Sequence, residues 1–216
     1  MLKRKRSTAD DTPTKKIHID EKTLFAQFAD ASYSSNPRAR MLHYGVTQWE
    51  LLAKKSSSTI SVWFEETSRT LCLAIRGTAN ARDVLTDIAL VFGVENITSR
   101  FRKALRVAKS AIELLNPSRT VFCGHSLGGT VALMLTARLK HECWIYNPGV
   151  TKNNMMALLG KRVHDFYVKG DVVSMIGQLM RASRVQPAKS GMNNHTILQF
   201  TKKCHHVVFG DPWIVY

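Results

Sequence analysis

Positions 1–16 are polar and charged, with almost no large apolar side chains, and read as a disordered tail. Periodic hydrophobicity begins after them. Asp20 caps a helix running through Leu24, Phe25, Phe28, Ala29 and Ala31, and Asn36-Pro37 ends it. A second helix-like segment spans 46–54, and Ser56-Ser57-Ser58 is a loop. Thr59–Glu65 and Thr70–Ile75 are rich in β-branched and apolar residues and are separated by a polar turn, the pattern of two strands. From Thr78 to about residue 99 the mix is irregular. Arg100–Leu115 has the spacing of an amphipathic helix closed by Asn116-Pro117. The apolar run Thr120–Cys123 reads as a strand and Thr130–Leu135 as part of a helix. Cys143–Tyr146 and Val163–Lys169 read as further strands, and 172–194 as a loop with one helical turn. Thr196–Phe200 and Val207–Tyr216 are the last apolar segments.

Strands alternating with helices predict an α/β fold with a mostly parallel sheet covered on both faces. With 216 residues, one domain over 17–216 following the 1–16 tail is the simplest organisation. A chain of this length buries roughly 70% of its unfolded surface and needs no disulfide staples. No stretch of about 18 apolar residues argues for a transmembrane helix. The basic N-terminal segment is not followed by the apolar segment of a secretory signal, so an intracellular setting is expected. Cys72, Cys123, Cys143 and Cys204 show neither close pairs nor metal-ligand spacing, and three of them lie in strand-like runs. Free core thiols and no metal site are expected.

Charge changes this picture. Thirty-one Lys and Arg face 16 Asp and Glu, a net charge of +15. The tail holds six basic and two acidic residues, so +11 lies on the rest of the chain. Such a surface attracts anionic headgroups or nucleic acid. Lys3-Arg4-Lys5-Arg6 also fits a short nuclear-import motif.

The chemistry concentrates at Gly124-His125-Ser126-Leu127-Gly128-Gly129, between a strand-like and a helix-like run. Gly-x-Ser-x-Gly in that setting is a nucleophile elbow of the α/β-hydrolase kind. It holds a serine in a strained turn, with glycines where a side chain would meet the neighbouring strand or helix. A serine hydroxyl needs a base, and the base an orienting carboxylate. In α/β-hydrolases both follow the serine in the chain. The downstream acids are Glu142, Asp165, Asp171 and Asp211. Asp171 is favoured because it lies just past the carboxyl end of a strand, where such sheets place their sites. His195 leads the histidines, with His205 and His206 as alternatives; His125 adjoins the serine and reads as a hydrogen-bonding neighbour. The Leu127 amide and the Arg76-Gly77-Thr78 loop, with the Thr78 hydroxyl, are the oxyanion candidates.

Together these segments resemble the class 3, fungal-type lipases. The resemblance runs over roughly residues 22–200 through Phe28–Tyr33, Ala74–Thr78, the elbow, Val168–Ser174 and Asn194–Phe200. The last segment looks like that of compact members of the family, which include proteins of large DNA viruses. The resemblance implies cofactor-free hydrolysis of acylglycerol, phospholipid or related esters. It assigns Ser126 as nucleophile, Asp171 and His195 as partners, and Thr78 with Leu127 as oxyanion donors. His205–Gly210 resembles the histidine segment of the secreted fungal enzymes and keeps His205 open. Asp87–Gly93, within the stretch 87–99, stands where those enzymes carry a lid; a buried helix is the equal alternative. Two other readings compete: an esterase or thioesterase of soluble substrates, and a non-catalytic basic scaffold for nucleic acid or anionic membrane.

Overall fold

The structure is a computed structural model that describes residues 19–78, 94–149, 155–171, 173–180, 184–190, 192 and 194–201. Among these residues, seven strands form one sheet in the order β1 to β7: Glu50–Leu51, Ile60–Glu65, Thr70–Ile75, Arg119–His125, Glu142–Tyr146, Val163–Val168 and Val185–Gln186. The first three pair antiparallel; β3 to β7 run parallel. Parallel strands need crossovers, and helices supply them. Among the described residues the α-helices are α1 (Glu21–Ala31), α2 (Pro37–His43), α3 (Val94–Leu115), α4 (Leu127–Leu139) and α5 (Met175–Met180).

Strand alternation sorts the side chains into two buried layers. Cys72, Ala74, Val121, Cys123 and Tyr146 face α1 through Phe25, Phe28 and Ala29. Leu71, Leu73, Ile75, Phe122 and Ile145 face α3 and α4 through Ala104, Ala108, Ala111 and Val131. The row of alanines lets α3 approach the sheet closely. Cys72, Cys123 and Cys143 are free and buried, with the Cys72 and Cys123 sulfurs 3.6 Å apart. Burial pushes the Cys143 thiol up to about 12, which keeps it protonated and inert.

Three expectations are corrected. Asn36-Pro37 does not simply end a helix. The Asn36 side chain accepts from the Ala39 amide and Pro37 takes the first helical position, so this pair starts α2, while α1 stops at Ala31. The segment 46–54 is not helical: Glu50–Leu51 adds an edge strand to β2, followed by the 3-10 turn Ala53–Lys55. Edge pairing to β2 outweighs a weak helical spacing here. The helix expected at Arg100–Leu115 begins earlier, at Val94. The tail, the lid candidate Asp87–Gly93, and His205, His206 and Asp211 lie outside the described residues.

Candidate active site

β4 passes into α4 through Ser126, whose backbone has φ 56° and ψ −128°. A non-glycine residue held there costs about 1–3 kcal/mol, so its surroundings must enforce it. The Ser126 amide donates to the Tyr146 carbonyl at 3.0 Å, tying the elbow to β5. The flanking glycines are steric necessities. A Cβ on Gly128 would sit 2.0 Å from the Ile75 carbonyl oxygen, and one on Gly124 would sit 2.5 Å from the Gly128 backbone. The Ser126 side chain does not cap α4, so the first amides of that helix, Leu127 among them, are not taken by a side-chain cap.

Asp171 follows β6 and is buried at 2% exposure; His195 is buried at 8%. His195 Nδ1 lies 2.8 Å from Asp171 Oδ1. A carboxylate oxygen accepts here, so Nδ1 carries a proton, and in the neutral ring Nε2 is the nitrogen with the lone pair. The second carboxylate oxygen, Oδ2, accepts from the Ser174 amide at 3.1 Å and from the Ser174 hydroxyl. Gln178 in turn donates to Ser174 Oγ and to the Asp171 carbonyl. The aspartate is thus held on both sides.

His125 joins the elbow to this pair. Its Nε2 is bonded to the His195 carbonyl, which can only accept, so Nε2 carries hydrogen. Its Nδ1 then accepts from the Tyr33 hydroxyl at 3.1 Å. Burial, followed by the neighbouring His195, pushes the His125 pKa well below the ordinary imidazole value, which keeps the ring neutral. Burial likewise raises the Tyr33 pKa, so the phenol stays a donor. The same hydroxyl would meet a Cβ on Gly77 at 2.2 Å, so only glycine fits beneath it.

Two more residues fix the loops. Asn147, fully buried and at φ 41°, accepts the Val168 amide on Oδ1 at 2.9 Å and donates from Nδ2 to the Asn194 carbonyl at 3.0 Å. One carboxamide therefore clamps the ends of β5 and β6 to the His195 loop. Arg100, on the first turns of α3, donates to the carbonyls of Arg76 and Gly77 at 3.2 and 3.5 Å. In trans peptides the Gly77 and Thr78 amides point the other way, away from the guanidinium. Sequence reasoning assigned roles to neither Asn147 nor Arg100, nor to Tyr33 or Ser174. Only the serine three residues after an acid, an Asx/ST-type turn spacing, was a usable signal.

The other candidate acids among the described residues, Glu142 and Asp165, are committed elsewhere. Glu142 pairs with Arg119 in two bonds and accepts from Trp144, and Asp165 is buried against Tyr167 and Arg184. His164 stacks on Trp144, and His141 packs edge-on to Phe122. Among the described residues no group of His, Cys, Asp and Glu is placed to hold a metal ion.

The fold is that of lipases. Lip2 lipase from Yarrowia lipolytica is 17% identical over 74% of this chain and 77% of its own, with a TM-score of 0.54. Lipase II from Rhizopus niveus is 16% identical over 81% and 82%, with a TM-score of 0.55. Rhizomucor miehei lipase, as a deletion mutant in complex with its propeptide, is 13% identical over 84% and 74%, with a TM-score of 0.56. No curated protein matches the chain. Residues 24–210 match the family model for the Tle-like phospholipase domain, a phospholipase-like family, and the chain belongs to it. Its fold is the lipase-like α/β-hydrolase fold.

Proposed function

We propose that this chain hydrolyses carboxylic esters of lipids, acylglycerols or phospholipids, through an acyl-enzyme on Ser126. The observation that carries the reading is the buried Asp171–His195 hydrogen bond of 2.8 Å beside an elbow whose serine is held at positive φ. His195 takes the Ser126 proton on Nε2 as the hydroxyl attacks the ester carbonyl. Asp171 keeps the ring in that tautomer and stabilises the imidazolium. The tetrahedral oxyanion draws on the Leu127 amide at the start of α4 and on Thr78, whose amide faces away from Arg100. His195 then protonates the leaving alcohol; water, deprotonated by the same nitrogen, attacks the acyl carbonyl, and His195 returns that proton to Ser126 Oγ as the acid departs. Each bond broken has its proton accounted for by one imidazole, and no cofactor is called for.

Fluorophosphonate labelling of the full chain tests this. Ser126 should be labelled, and Ser126→Ala should lose both labelling and ester hydrolysis by about 10⁴-fold or more. Absence of labelling in folded protein would overturn the reading. A panel of emulsified lipid esters, phospholipids and short soluble esters fixes the substrate class. A rate that jumps above the solubility limit of the ester supports a lipid substrate over a soluble one.

A further inference from the structure

We infer that the outward face of α3, with the lysines of the turn Ala53–Lys55, docks the protein on an anionic phospholipid surface and seats a headgroup. Arg102, Lys103, Arg106 and Lys109 are all exposed on one side of α3, at the three- and four-residue spacing that stacks side chains along a helix. Lys54 and Lys55 stand beside them across a groove of about 360 Å³ lined also by Val107 and Ser110. Six cations thus share one face. None of them makes an ion pair with a described residue; Lys55 Nζ donates to Ser110 Oγ at 3.2 Å. A second groove, lined by Arg119, Lys140, Lys161 and Arg162, differs in holding a carboxylate, Glu142, which pairs with Arg119 together with Glu21.

Three features favour a membrane over nucleic acid. The groove has an apolar floor at Val107, and Leu114 further along the helix is 65% exposed, the mixed character of an interfacial helix. No exposed residue of this face is aromatic, so stacking on bases is not provided for. The face is also coupled to the site: Arg100, one turn before Lys103, holds the Arg76 and Gly77 carbonyls of the oxyanion loop. A membrane against α3 therefore meets the flank from which that loop is held. This inference rests on the lipid-ester reading above, since it is the substrate that places the enzyme on lipid.

The test uses full-length protein carrying Ser126→Ala, so that vesicles stay intact. Co-sedimentation compares phosphatidylcholine vesicles with vesicles containing phosphatidylserine. Binding should be at least tenfold stronger to the anionic vesicles, fall steeply with salt, and drop about tenfold or more in Lys103→Glu/Arg106→Glu. The Gln pair should fall between the two. With Ser126 restored, the Glu pair should hydrolyse a short soluble ester at the parent rate, which separates this inference from the catalytic one. Equal binding to both vesicles, no loss in the Glu pair, or tighter binding to duplex nucleic acid than to anionic vesicles would overturn it.

Discussion

The hydroxyl of Tyr33 lies 3.1 Å from Nδ1 of His125, and the far nitrogen of that ring holds the backbone of the proposed base. A residue on the segment after α1 thereby sets the position of a loop 162 residues later in the chain, through one neutral imidazole. Tyr33→Phe removes the donor while keeping the ring. Turnover should fall by about tenfold with little change in KM, since the lost bond acts through His125 on the His195 backbone. Steady-state kinetics on a soluble ester checks this, and the buried Nδ1 left without its donor should cost about 1–3 kcal/mol in denaturant unfolding.

His125 also gives stability a pH dependence of known sign. Its folded pKa lies below the ordinary value of about 6.5, because burial and His195 disfavour the cation. Below pH about 6.5 the unfolded chain therefore binds a proton that the folded chain refuses. Its contribution to stability is complete above that pH and is lost as pH falls toward the folded pKa, by at most about 1.4 kcal/mol per pH unit. His125→Gln keeps a donor toward the His195 carbonyl and removes the titration. Melting temperatures between pH 7.5 and 5 should fall less steeply in that variant than in the parent.

Ser174 supplies two of the bonds on the outer oxygen of Asp171. Ser174→Ala removes the hydroxyl and keeps the amide. Hydrolysis should fall by roughly 10-fold, far less than the ~10⁴-fold expected for Asp171→Asn, which would favour the wrong histidine tautomer. Rates for the two variants under identical conditions decide the ranking.

Gly128→Ala would force a methyl to within 2.0 Å of the Ile75 carbonyl, which belongs to a buried strand and cannot turn aside. The expected outcome is misfolding or a loss of more than about 4 kcal/mol, well beyond an ordinary surface change. Gly45→Ala is the comparison: no atom lies within 4 Å, although φ is 76°. It should cost only about 1 kcal/mol of backbone strain. Expression yield and urea midpoints separate the two.

The strands of the sheet interior and the elbow were legible because their signals are local. Thr70–Ile75 and Val163–Val168 are short apolar runs, and Gly124–Gly129 fixes its own turn. The position of Asp171 just past the end of β6 was legible in the same way. Other parts were not legible for a physical reason. Asn36-Pro37 can close one helix or open the next, and nothing within a few residues decides between them. Glu50–Leu51 is a strand only because β2 lies beside it. Asn147 and Arg100 act on backbone atoms 47 and 23–24 residues away, and such contacts leave no trace in periodicity.

The Asn147 carboxamide has a consequence for how the molecule fails. Because a single amide side chain bridges the strand that leads to Asp171 and the loop that carries His195, loosening it parts these two residues in one event. Heat or mild denaturant should extinguish turnover while most of the helical and sheet circular dichroism survives. Inactivation here would then be a local parting of two strand ends, well ahead of collapse of the layers beneath.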